Sequence, residues 1–113
     1  MTTVIIRKTS TDAYESFTCI GHAEYAKFFW AGQKDVVCSA ISAIVINTIN
    51  SLEELTFAKM DVTTNAKTGF IQCKFLHPLN EQQILLMNSM VLGLQKIQEE
   101  YTTKYLEVRF EEV

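Results

Sequence analysis

The chain has 113 residues, 48% hydrophobic and 20% charged, with four Gly and one Pro. That size and composition fit a single domain over 1–113 with one core and exclude a disordered or low-complexity chain. Ten Lys plus Arg against thirteen Asp plus Glu leave a formal charge of -3, without the basic excess that displaces counterions from phosphates, so direct nucleic-acid binding is not expected.

The longest strongly apolar stretch, Val36 to Ile46, is interrupted by Ser39 and Ser42. It falls short of the roughly 20 residues that cross a bilayer, so neither a transmembrane helix nor a membrane partner is expected. The N-terminus lacks the basic start, apolar run and cleavage site of a secretory signal. The three cysteines, Cys19, Cys38 and Cys73, are widely spaced and contain no C-x-x-C pair. This argues against a disulfide framework and a structural zinc site, and for free thiols in a reducing cytoplasm.

In chain order, Thr2 to Lys8 carries β-branched bulk on both faces and reads as a buried strand. After a polar turn, Tyr14 to Gly21 reads as its hairpin partner, with Phe17 and Cys19 on one face. An irregular loop runs from His22 to Lys34. Asp35 then suits the N-cap of a helix from Val36 to about Leu55, whose apolar positions Val37, Ile41, Ile44, Val45, Ile49 and Leu52 cover a broad face. Phe57 to Thr64 and Phe70 to Leu76 alternate apolar and polar residues and read as two strands, each with one buried face, joined by a turn over Asn65 to Gly69.

Asn80 and Gln83 have the spacing of a capping box, and Leu79 with Ile84 that of a hydrophobic staple. They open a second helix that reaches about Lys104. Leu106, Val108 and Phe110 alternate with charged residues in a last strand. The order ββαββαβ predicts a two-layer α+β domain, with two long helices largely on one side of a mainly antiparallel sheet.

Chemistry concentrates around the irregular loop. If Asp35 caps the helix, Cys38 lies in its first turn, where unpaired N–H groups and the positive end of the macrodipole favour an anion such as a thiolate, the reactive form. An imidazole at the neighbouring strand end, His22, would complete a Cys/His pair, and first-turn amides would receive an oxyanion. Against this stands core filling, the commoner role of a cysteine at the start of an apolar helix. Cys19 and Cys73 fall on inward strand positions and read as core. His77, before Pro78, has no evident partner and reads as a surface or turn residue. No local ligand spacing supports a metal site from His22, His77 and Cys38, and no cofactor is expected.

Gly21-His22-Ala23, followed by Gly32 and then Asp35-Val36-Val37-Cys38-Ser39-Ala40-Ile41-Ser42-Ala43, resembles the signature of the ribosomal-processing cysteine protease family of Firmicutes and their relatives, commonly called Prp. The resemblance covers essentially the whole chain. It implies an endopeptidase that removes the N-terminal extension of a large-subunit ribosomal protein, the one numbered twenty-seven, and that forms a homodimer. It also implies that Cys38 is the nucleophile and His22 the catalytic histidine, with Asp35 and Ser42 at the family's motif aspartate and serine. One departure is visible: the loop between His22 and Cys38 is longer than in many members.

Asp35 is read as the cap that fixes the helix start, with orientation of His22 as the alternative. Ser42, four residues past Cys38, is read as supporting the site, with a back-bond to its own helix as the alternative. Tyr25, Phe28, Phe29 and Trp30, in a loop that also carries Gly32, would line a lid or pocket wall for apolar substrate side chains; a permanently packed short helix is the equal alternative. A different class of function uses the same loop: a non-catalytic module that binds a ribosomal protein or assembly factor. The mild acidity of the chain suits a basic ribosomal protein in either case.

Overall fold

A computed structural model describes residues 1–21, 33–101 and 105–113, with side chains from residue 36 onward in the first helix. Its elements are β1 (Thr2–Lys8), β2 (Tyr14–Ile20), α1 (Gln33–Thr56), β3 (Met60–Asn65), β4 (Phe70–Phe75), α2 (Glu81–Tyr101) and β5 (Leu106–Glu112). They form a mixed α+β fold whose five-stranded sheet runs β3-β4-β2-β1-β5. Three pairings are antiparallel and one, β1 with β5, is parallel. The parallel pairing follows from the α2 crossover that returns the chain to the β1 edge.

Register sets which side chains meet. Val4 lies opposite Cys19 and Ile6 opposite Phe17, and across β2 Phe17 faces Cys73 and Cys19 faces Ile71. These residues share one face of the sheet and one core cluster with Val37, Ile41, Val45 and Leu52 of α1 and Met87, Met90, Val91 and Leu94 of α2. Both helices therefore cover the same face. Burial of each large apolar chain contributes ~1.5–3 kcal/mol, so packing outweighs intrinsic helix propensity in holding α1. The β-branched reading of β1 stands, with Val4, Ile5 and Ile6 all buried.

The α2 start is the capping box expected from sequence. Asn80 N–H donates to Gln83 Oε1 and Gln83 N–H to Asn80 Oδ1, each at 2.9 Å. The buried Gln83 does more, because its Nε2 donates to Thr56 O at 3.2 Å and so ties the end of α1 to the start of α2. Phe57, with φ of 57°, ends α1 in the left-handed region.

Three expectations are corrected. First, α1 begins at Gln33, so Asp35 lies inside the first turn and is not the cap. Gln33 and Lys34 are good helix formers and extend the helix past the point where cap preference alone would start it. Second, β3 has no buried face. It is the sheet edge, Met60 is half-buried and the rest of the strand is exposed. Alternation reveals two faces but not whether anything covers one of them.

Third, the apolar run is longer than Val36 to Ile46: Val36–Thr56 is long and apolar enough to cross a membrane by length and composition, a test that a core helix also passes. Two of its hydroxyls bond inside the helix, Ser42 Oγ donating to Cys38 O at 3.0 Å and Thr48 Oγ1 to Ile44 O at 2.8 Å. In the fold, its apolar stripe belongs to the core.

Candidate active site

The first helix reaches the sheet at the open end of the β1–β2 pair. Here β2 ends at Ile20, opposite Thr3, and the chain turns at Gly21. Gly21 adopts φ of +93°, and a Cβ built on it would lie 2.8 Å from the Met1 carbonyl oxygen. Both the backbone conformation and the close approach exclude a side chain. The glycine of the Gly-His-Ala sequence is thus required by the turn itself.

Cys38 sits in the second turn of α1 and is 3% exposed. Its own amide is past the four unpaired N–H groups of the helix start, and the helix dipole fades within the first turn. The expectation that Cys38 lies among free first-turn amides is therefore corrected along with the cap. What the sulfur meets instead is a side chain from β1: Thr2 Oγ1 lies 3.7 Å from Cys38 Sγ, in a buried contact. Thr2 is fully buried, its N–H donates to Tyr105 O at 2.9 Å, and its strand position pairs with Leu106.

The other two thiols differ in kind. Burial pushes the Cys19 thiol up to about 12, and neighbouring Cys38 adds to the shift. Burial, with a smaller effect of Asp61, does the same to Cys73, to about 12. Both are fully buried, as their inward strand positions predict, and both stay protonated at neutral pH. Cys73 also contacts Met60 Sδ at 3.5 Å.

Ser42 makes the back-bond to its own helix, onto the carbonyl of Cys38. His77 lies at a surface bend, as expected, but is not without partners. Its Nε2 accepts from Lys59 N–H at 2.9 Å, which leaves Nδ1 to donate to Pro78 O at 2.7 Å. It pins the entry of β3 to the exit of β4, well away from Cys38 in the topology.

Among the described residues no group of three or more His, Cys, Asp or Glu is placed to hold a metal ion. The candidates His22, Tyr25, Phe28, Phe29, Trp30 and Gly32 lie outside the described residues, as does the side chain of Asp35. Sequence reasoning missed Thr2. Its signal was the period of two in β1, which puts Thr2 on the face of Val4 and Ile6, a hydroxyl in an otherwise apolar row.

A family model described as cysteine protease Prp matches residues 1–106. A relative from Staphylococcus aureus (strain Mu50), the ribosomal processing cysteine protease Prp, is 27% identical over 81 residues, 72% of this chain and 73% of that protein. The crystal structure of an essential ribosomal processing protease Prp from S. aureus with a substrate peptide superposes with a TM-score of 0.86 at 23% identity. It covers 98% of this chain and 100% of that one. A second structure of the S. aureus protease, with a covalently linked product peptide, gives a TM-score of 0.82 at 23% identity and the same coverage. At these identities the structural matches establish the fold.

Proposed function

Because the chain belongs to the cysteine protease Prp family, we propose that it cleaves a peptide bond with Cys38 as nucleophile and His22 as proton carrier. Its substrate is the precursor of a large-subunit ribosomal protein, the one numbered twenty-seven, from which it removes the N-terminal extension. The observation that most supports this reading is the placement of Cys38. Of the three thiols it alone stands at the helix end beside the turn that leads into His22, on a sulfur met by a buried hydroxyl. The relative named for ribosomal processing and the structural neighbour solved with a substrate peptide support the substrate class.

In the first half-reaction the Cys38 sulfur, as thiolate, forms a bond to the scissile carbonyl carbon and the carbonyl electron pair moves onto oxygen. When the oxyanion collapses, the C–N bond breaks and the leaving amine takes a proton from the His22 imidazolium, which leaves a thioester. Water then adds to the thioester while His22 takes its proton. The C–S bond breaks, and the acid product and the thiolate–imidazolium pair are released. No cofactor enters either step.

Asp35 lies inside the first turn of α1 and supports the site, as its place in the motif implies. Ser42 supports it through its bond to the Cys38 carbonyl. Tyr25, Phe28, Phe29 and Trp30, with Gly32, grip apolar residues of the extension. On this reading the whole chain is one protease domain that works as a cytoplasmic homodimer.

The test is incubation of the purified precursor with wild type and with His22→Ala, with product masses read directly. Loss of one N-terminal fragment with wild type and a rate lowered at least about a hundredfold in His22→Ala support the reading. An uncut precursor would contradict the substrate, and an undiminished rate in His22→Ala would contradict the dyad.

A further inference from the structure

We propose that Thr2 is a positioning residue for this reaction: its hydroxyl donates a hydrogen bond to the Cys38 sulfur, holding the sulfur in direction and favouring its thiolate form. The proposal rests on the reading of Cys38 as nucleophile and deepens it, naming a group that sets how readily that nucleophile is formed.

Three observations carry it. The Thr2 hydroxyl is fully buried, on the inner face that Val4 and Ile6 continue, where a valine would pack as well and carry no desolvation cost. A buried hydroxyl costs free energy unless it is bonded. Among the described residues, the hydrogen-bond partner of this hydroxyl is the Cys38 sulfur, at 3.7 Å. A neutral thiol is a weak partner and a thiolate a much better one, because bonds to a charged group are the stronger kind.

The second observation concerns what else could solvate a thiolate at this point. Cys38 is 3% exposed and sits in the second turn of α1, past the unpaired amides of the helix start. Water and the first-turn N–H groups are thus both poorly placed, and a side-chain donor fills the role they leave. The neighbouring thiol does not compete for ionisation at neutral pH, because burial pushes Cys19 up to about 12.

The third is rigidity. Thr2 is anchored through its N–H to Tyr105 O at 2.9 Å and by its pairing with β5. Its hydroxyl is delivered by the sheet, independently of the helix that delivers the sulfur. The two elements together fix the donor and the nucleophile to each other.

The experiment compares wild type with Thr2→Val, Thr2→Ala and Thr2→Ser, with Cys38→Ala as a control. Iodoacetamide labelling of the Cys38 peptide is followed by mass from neutral to high pH, and kcat/KM for precursor cleavage is measured beside it. Removing a bond to a charged sulfur is expected to slow labelling and cleavage about tenfold at neutral pH in Thr2→Val and Thr2→Ala. The labelling rates of all variants converge at high pH, where the thiol ionises without help. Thr2→Ser, which keeps the donor, recovers most of the neutral-pH rate.

A purely structural role would slow labelling at every pH and would not be rescued by Ser; that pattern overturns the proposal. So does a Thr2→Val protein that labels and cleaves like wild type. Wild-type cleavage by Cys38→Ala would instead overturn the nucleophile assignment on which the proposal rests. Should Thr2→Val not fold, Thr2→Ala and Thr2→Ser carry the same comparison.

Discussion

Gly21 and Met1 are locked together: a Cβ on Gly21, at φ of +93°, would lie 2.8 Å from the Met1 carbonyl oxygen. The contact joins the end of β2 to the start of β1, one residue before His22 in the sequence. Gly21→Ala therefore has to move β1, the strand that also delivers Thr2 to Cys38. We expect a loss of about 2 kcal/mol or more in unfolding free energy, with reduced cleavage, read by chemical denaturation and by turnover. An alanine variant as stable and as active as wild type would show that the turn is not built as described.

The buried thiols make stability depend on alkali. Burial pushes the Cys19 thiol up to about 12 in the fold, above the ordinary thiol value of about 8.5. Below about pH 9 its thiol is protonated whether the chain is folded or not, so its contribution is constant there. Above that, the unfolded chain loses the proton that the folded chain keeps, and stability falls by about 1.4 kcal/mol per pH unit for this thiol as pH rises toward 12. Denaturation midpoints from pH 8 to 11 should decline, and less steeply in Cys19→Ala. Equal slopes in the two proteins would contradict the assignment.

His77 holds two backbone segments at once, accepting from Lys59 N–H and donating to Pro78 O. His77→Ala leaves both groups to solvent and is expected to cost about 1 kcal/mol, with cleavage by the folded enzyme unchanged. A large loss of activity at unchanged stability would give His77 a role in the chemistry that its position does not support.

Phe57 pays for ending α1: it sits at φ of 57°, where bulky residues are strained, and its ring is 80% exposed. Phe57→Gly removes the strain and loses little packing, so we expect a gain of about 1 kcal/mol. A drop in melting temperature would mean that the ring makes contacts that offset the strain.

Much of this fold is legible in local sequence signals, because they are set by neighbours in the chain. The β1–β2 hairpin, the Asn80–Gln83 capping box and the inward cysteines Cys19 and Cys73 all follow from period, cap chemistry and spacing. What escapes is set by distant parts of the chain. The bareness of β3 depends on its place at the sheet edge, the parallel pairing of β5 on the α2 crossover, and the partners of His77 on the approach of Lys59. The start of α1 escapes for a local reason, since Asp35 is a good cap and a good first-turn residue alike.

The site divides in the same way. Cys38 and Gly21 stand out by motif, and Gly21 acquires its physical reason from the Met1 carbonyl. Thr2 escapes because its meaning comes from a helix that begins far along the chain.

The central claim, that Cys38 is the nucleophile, is tested most directly by turnover of Cys38→Ala against wild type on the purified ribosomal-protein precursor. Circular dichroism and melting temperature would confirm that both proteins are folded. The account predicts no detectable cleavage by the folded alanine variant, whereas cleavage at the wild-type rate would contradict it.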